Sequence, residues 1–227
     1  MSEILQSLSP EIQKRLRELI DEVLRVNQQF NLTAVREPEA AWVKHILDSL
    51  QGLQTGLFEL HRSVIDVGTG PGFPGLPLAV ARPELKLSFV ESTRKKCDFI
   101  RDTGEKFGLN IRVINQRAEE IGQNVVWRER YDIATARAVG SFGEVCELCL
   151  PLVKVGGHLV LWRGSAAEEE TKTSKGAIKV LGGQFKTLYP YTLPGLDMTY
   201  HIVVIEKTKP TPAIYPRRVG IPKQNPL

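Results

Sequence analysis

The sequence predicts a doubly wound α/β domain: a seven-stranded, largely parallel sheet covered on both faces, preceded by a helical extension. Three observations carry this. From Ser63 onward, short β-rich runs (SVIDVG, KLSFVES, IRVIN, YDIATAR, HLVLW) alternate with helical stretches, as parallel strands joined by crossover helices do. The first run ends in a glycine-rich turn, Asp66-Val67-Gly68-Thr69-Gly70-Pro71-Gly72-Phe73-Pro74-Gly75. Finally, QFKTLYPYTL and TYHIVVIEK flank Pro194-Gly195-Leu196-Asp197, which reads as an antiparallel hairpin closing the sheet.

Before the sheet, Ser9-Pro10-Glu11 combines a capping hydroxyl, a proline at the first helical position and an acid in the first turn, so a helix starts there. Ile12, Leu16, Leu19, Ile20 and Val23 recur on one face and carry it to about Gln29. Asn31-Leu32-Thr33 reads as a loop. Pro38 opens a second helix through Leu50, with Val43, Ile46, Leu47 and Leu50 apolar and Lys44, His45 and Asp48 on the other side. After Gly164 the run SAAEEETKTSKGAIKVL predicts one charged helix. The ending KTKPTPAIYPRRVGIPKQNPL has five prolines and no acid, so it should be extended and ordered by docking. The expected division is a helical extension over 1–61, the sheet domain over 62–207 and a Pro-rich basic tail over 208–227.

The 227 residues suit one mid-sized domain, and 42% hydrophobic with 25% charged residues is a globular composition. No apolar run approaches the roughly 20 residues that span a bilayer, and the N-terminal residues do not read as a leader. A cytoplasmic protein is expected. Cys97, Cys146 and Cys149 are too few for a disulfide framework. Although Cys146 and Cys149 spell CxxC, their segment is apolar and helical, which favours inert buried thiols over a metal or redox site. The net charge of +4 is uneven: residues 1–61 carry 6 basic and 9 acidic side chains, residues 207–227 carry 5 basic and none acidic. A tail of that kind attracts polyanions, or is a solvated end.

The glycine turn carries the chemistry. Glycine there allows positive φ and close approach of backbone to a ligand, and the amides opening the next helix face whatever is bound. Gly70-x-Gly72-x-x-Gly75 satisfies the dinucleotide fingerprint, but Asp66 two residues before Gly68 would repel a pyrophosphate. S-adenosylmethionine has no phosphate and carries a sulfonium and an ammonium that a carboxylate attracts, by about 1–4 kcal/mol for a pair at 4 Å. Asp66, Gly68 and Gly70 are therefore expected at this cofactor, with Glu91 on its ribose hydroxyls. Ala118-Glu119 follows the third strand, where adenine could lie. Arg137-Ala138 ends the fourth, where substrate meets cofactor in open parallel sheets. That end has neither the acidic or asparagine residue plus double proline that cradles an exocyclic amine nor a Pro-Cys that attacks a pyrimidine. Guanine N(7), whose in-plane lone pair carries no proton, is one acceptor that needs only positioning.

DVGTGPGFPGLPLA, Asn31-Leu32-Thr33, HILDSL, Glu91-Ser92 followed by Arg94-Lys95-Lys96 and Phe99, Arg137-Ala138, and YPRRVGIPKQNPL together resemble the bacterial small-subunit ribosomal RNA guanine-N(7) methyltransferase family. The resemblance covers almost the whole chain. It implies a class I, Rossmann-like methyltransferase acting with S-adenosylmethionine, in the cytoplasm, on one guanine in the decoding-region loop of 16S rRNA in the small ribosomal subunit, with no metal and no membrane. The cofactor shell it implies is Gly68, Phe73, Glu91, Ser92, Thr93, Ala118, Glu119 and Arg137, Arg137 being the catalytic candidate. It also suggests RNA contacts: Asn31, Thr33, Arg36, Lys44 and His45 before the sheet, Arg94, Lys95 and Lys96 beside the cofactor edge, and Arg217 and Arg218 in the tail. Such contacts would give affinity, and shape with an unstacked base would give specificity. An NAD-dependent oxidoreductase and a non-catalytic RNA-binding or ribosome-associated module are the competing classes.

Overall fold

A computed structural model describes residues 3–227. Seven strands, β1 (Ser63–Val67), β2 (Lys86–Val90), β3 (Ile111–Ile114), β4 (Tyr131–Arg137), β5 (Val153–Arg163), β6 (Gly183–Leu193) and β7 (Leu196–Lys207), form one sheet in the order β3-β2-β1-β4-β5-β7-β6. The first five run parallel, and β7 pairs antiparallel with both β5 and β6. The hairpin turns more tightly than its sequence suggests, since β6 already pairs Leu193 with Leu196 and only Pro194-Gly195 remains as the loop.

Alternation along the central strands sends side chains to two cores. On β5, Val160 and Trp162 enter the core shared with the N-terminal helices, while Leu159 and Leu161 enter the opposite one. The helix Pro10–Asn27 begins where Ser9 accepts from the Ile12 amide, and it buries Leu16, Leu19, Ile20 and Val23. Those residues share a core with Leu76, Leu78 and Val80 of the helix Gly75–Ala81 after the glycine turn. The second N-terminal helix spans 38–50 but contains a π turn over Trp42–Leu47. Such turns commonly mark functional sites. The charged run after Gly164 is two helices, Ala167–Thr173 and Lys175–Val180, interrupted at Ser174. Among the described residues no helix is long and apolar enough to cross a membrane.

The tail lies folded against the helices Ala118–Gln123 and Phe142–Cys149. Arg128 donates to the carbonyls of Gly122 and Tyr215, both at 2.7 Å, and of Thr211 and Pro212 at 2.7 and 3.1 Å. Arg217 pairs with fully buried Glu147 through Nη2 to Oε2 at 2.6 Å and Nε to Oε1 at 2.9 Å, and its own amide donates to the same carboxylate at 2.8 Å. The resemblance suggests Arg217 as an RNA contact; in the structure its guanidinium is engaged by an acid that burial would otherwise strand. Cys146 and Cys149 are free and buried, and burial pushes both thiols up.

Candidate active site

Two cavities open at the carboxyl edge of the sheet. The smaller, about 330 Å³, is lined by Gly68, Glu91, Ser92, Ala118, Glu119 and Val139 among others. The larger, about 640 Å³, is walled by Lys44, Asp48, Arg137, Trp162, Tyr191 and Tyr200. They are separated by the end of β4: Arg137 and Ala138 face the larger, Val139 the smaller. Ala138 has φ +56°, a left-handed conformation that costs a non-glycine residue about 1 kcal/mol or more and that clusters at functional sites.

The glycine turn gives the smaller cavity its backbone wall. Gly68 and Gly70 have φ of +65° and +60°, which L side chains avoid. A Cβ on Gly68 would also stand 2.8 Å from Val139. Beneath the turn lies Asp66, which accepts from Thr69 Oγ1 at 2.6 Å, from the Gly75 amide at 3.0 Å and from Thr135 Oγ1 at 2.8 Å. Its side chain is fully buried, so the acid expected against the ligand is a brace that shapes the turn. Burial pushes its carboxyl up to about 6, against the pull of Thr69, Thr135 and Gly75. The two carboxylates of the motif thus divide their roles. Glu91 is the one at the cavity: it accepts from Thr93 N at 2.7 Å and Gly70 N at 3.1 Å, and Asn115 fixes the strand end by donating to the Glu91 and Ser92 carbonyls at 2.9 and 3.0 Å. Glu119 accepts from Arg117 at 3.2 Å and from the Gly220 amide at 3.1 Å. Burial alone would raise its carboxyl, but these donors hold it below the ordinary value.

The larger cavity is organised by Asp48, a residue whose place on the polar side of the second helix predicts no such role. Its Oδ2 accepts from Arg137 Nη1 at 2.7 Å and its Oδ1 from the Tyr191 hydroxyl at 2.5 Å. Its backbone carbonyl accepts from Trp162 Nε1 at 2.8 Å. One residue therefore joins the π-turn helix, β4, β5 and β6. The same Arg137 nitrogen reaches the Lys44 carbonyl at 3.1 Å and Ser49 Oγ at 3.2 Å, and the guanidinium lies 5.4 Å over the Phe73 ring. Phe73 is buried and stacks on His45 at 4.5 Å with planes 8° apart. It thus links the glycine turn to the larger cavity instead of lining the smaller one.

Burial and the Arg137 charge push His45 down to about 4, so it is neutral at pH 7. Its Nε2 meets Thr33 Oγ1 at 2.9 Å. His45 is thus packed as a wall residue of the larger cavity. The Asn31-Leu32-Thr33 loop is held by Asn27, whose Oδ1 accepts from the Leu32 and Thr33 amides at 2.8 and 3.0 Å. Asn31 and Arg36 are exposed beside it, as are Lys44, Arg94, Lys95 and Arg218 elsewhere; Lys96 is half-buried. Thr93 immediately precedes the helix Arg94–Lys106, and Lys95 Nζ lies 5.5 Å over the exposed Phe30 ring. Among the described residues no cluster of three or more His, Cys, Asp or Glu side chains could hold a metal ion.

Five parallel strands, an antiparallel terminal hairpin and a glycine turn opening onto the β1–β2 edge form the class I, Rossmann-like methyltransferase fold. Solved structures of that class superpose on the chain. One is a precorrin-6y C5,15-methyltransferase from Geobacter metallireducens, with TM-score 0.50, 17% identity and coverage of 78% of this chain and 92% of that one. Another is a mutant 16S rRNA (adenine(1408)-N(1))-methyltransferase from Catenulisporales acidiphilia, with TM-score 0.56, 14% identity and coverage of 70% and 91%. At such identities the likeness is of fold alone. The family follows from sequence. Residues 12–192 match the family described as rRNA small subunit methyltransferase G. A ribosomal RNA small subunit methyltransferase G of Alkaliphilus metalliredigens is 44% identical over 208 residues, spanning 91% of this chain and 87% of its own length. One of Trichormus variabilis is 41% identical over 221 residues, spanning 95% and 90%. The chain belongs to the rRNA small subunit methyltransferase G family.

Proposed function

We propose that the protein transfers a methyl group from S-adenosylmethionine to N(7) of one guanine in the decoding-region loop of 16S rRNA, acting in the cytoplasm on the small ribosomal subunit. The observation that carries this is the meeting of an acid-lined cavity and an aromatic one at Arg137–Val139. The smaller cavity fits the cofactor. Gly68 presents backbone with no Cβ in the way, Gly70 fixes Glu91 through its amide, Glu91 has unused lone pairs for a ribose diol, and Ala118-Glu119 offers a small side chain and an amide for an adenine. When bound, the cofactor supplies an electrophilic methyl on a sulfonium.

The larger cavity fits an unstacked purine. Trp162, Tyr191 and Tyr200 supply flat apolar walls, the usual means of holding a base withdrawn from its stack. Arg137, fixed by Asp48, holds the boundary at which acceptor and methyl meet. Because guanine N(7) carries no proton, the chain needs no general base there, and alignment does most of the work. A covalent route through cysteine is disfavoured by the burial and raised thiols of Cys146 and Cys149. Exposed Arg36, Lys44, Arg94 and Lys95 are placed to meet RNA phosphates, with residues 1–61 serving as the extension that builds one wall of the acceptor cavity. Family membership and the fold weigh against the oxidoreductase and the non-catalytic module.

Label from methyl-tritiated S-adenosylmethionine should enter small-subunit rRNA, and replacing the target guanine with 7-deazaguanine should abolish incorporation. Persistence of label in the deaza substrate would refute N(7) as the acceptor.

A further inference from the structure

The C-terminal turn of the tail stands at the cofactor cavity, and no feature of the glycine-turn motif accounts for it. Lys223, in the short helix Ile221–Gln224, lines the smaller cavity together with Glu91, Ala118 and Glu119. Three residues earlier, the Gly220 amide donates to Glu119 Oε1 at 3.1 Å. The segment is fixed at both ends. Arg217 is locked to buried Glu147 and also donates from Nη2 to the Asn225 carbonyl at 2.8 Å. The backbone of Leu227 packs on Gly143, where a Cβ would collide with it. Lys223 Nζ itself has no hydrogen-bond or ion-pair partner among the described residues, although its neighbours in the cavity are polar.

We infer that residues 220–227 form a wall of the cofactor site, and that Lys223 is a binding residue for the nucleoside half of S-adenosylmethionine. This rests on the assignment of the smaller cavity to that cofactor. The chemistry follows from the inventory of donors. Lysine offers only N–H donors, so at the Ala118-Glu119 end of the cavity it serves ligand acceptors, the adenine ring nitrogens or ribose oxygens. The Gly220 amide acts on the ligand indirectly, by fixing the Glu119 carboxylate together with Arg117. The basic tail thus owes part of its charge to the cofactor site: Arg217 holds the segment down, and Lys223, solvent-exposed like Lys209 and Arg218, stands at the pocket wall.

Titration calorimetry with S-adenosylmethionine on the full chain, on Lys223→Ala and on a chain ended after Pro222 tests this. The truncation keeps both the Arg217–Glu147 pair and the Gly220–Glu119 bond. Each variant should bind about tenfold more weakly (~1.4 kcal/mol), while the melting temperature of ligand-free Lys223→Ala stays unchanged and only that of the truncated chain falls, with the loss of the Asn225 and Leu227 contacts. In the full chain, cofactor should slow amide hydrogen exchange over 220–225. Affinities in both variants equal to that of the full chain would overturn the inference and leave the cofactor assignment standing. Failure of the full chain to bind S-adenosylmethionine would overturn the assignment and the inference together.

Discussion

The two cavities are built by different means. The smaller is built mostly from one glycine turn and the ends of β2 and β3, with Glu91 held by the Thr93 amide two residues on and the Gly70 amide 21 residues back, and only Glu119 reached from afar, by the Gly220 amide. The larger is assembled from far apart in the chain. Asp48 on the π-turn helix meets Arg137, Trp162 and Tyr191, which lie 89, 114 and 143 residues away. A cofactor common to many reactions can be held by a transferable turn, whereas an acceptor pocket requires side chains gathered from several elements. The smaller cavity should therefore tolerate changes in the larger and still bind cofactor.

The harshest way to break that independence is at Asp48. Asp48→Ala strands the Arg137 guanidinium and the Tyr191 hydroxyl in a largely buried site, and removing one partner of such a pair costs about 3–5 kcal/mol. Urea unfolding should show that loss. Cofactor affinity, measured under folded conditions, should stay within about twofold, since the Glu91 contacts are untouched. A large loss of cofactor binding would mean that the two cavities act as one unit.

Asp66 tests the other side. Burial raises its carboxyl from 3.8 to about 6, so the folded state favours the protonated acid. Its contribution to stability is full below pH 3.8 and is lost as pH rises through about 6, a change on the order of 3 kcal/mol. Asp66→Asn keeps a neutral group, its oxygen can accept from Gly75 and Thr69, and the Thr135 hydroxyl can rotate to accept from its amide. Unfolding free energies at pH 4.5 and 7.5 should differ less in the variant than in the parent. An identical pH dependence would show that Asp66 does not titrate in this range.

A milder change sharpens the comparison at the boundary. Arg137→Lys keeps the charge but loses the planar fork over Phe73. Methyl transfer to 16S rRNA should fall by about twentyfold, in the range of a lost charged hydrogen bond, with cofactor affinity retained. Full activity would make Arg137 a packing residue. The smallest effect belongs to the rim. Lys95→Ala should lower the magnitude of the salt slope for rRNA binding by roughly 0.7, as expected for one phosphate contact to a single strand.

What could be read from the sequence follows the same division. The strands, the Ser9 cap and the glycine turn are local signals, and the structure bears them out; it also places Glu91 at a cavity wall and buries all three cysteines. Asp66 was legible as important but not in its role: position shows an acid beside the turn, and only packing shows that Thr69, Gly75 and Thr135 occupy it. Asp48 sits among polar residues on an amphipathic helix, and nothing in a linear pattern separates a solvated acid from one meeting a guanidinium 89 positions on. That the tail docks is expected from its prolines, but where it docks is hidden for a similar reason. Arg128 holds it through three of its backbone carbonyls, acceptors that every residue has, while Glu147 inside an apolar helix is a hint that a cation must come to it.

The central claim is that the chain aligns guanine N(7) at the boundary between the two cavities, and the modified base tests it most directly. Small-subunit rRNA methylated by the protein should yield 7-methylguanosine on nucleoside analysis, and borohydride followed by aniline should cut the strand at one position in the decoding-region loop. A methyl group on an exocyclic amine, a ribose oxygen or a pyrimidine carbon would contradict the account, even with S-adenosylmethionine as its source.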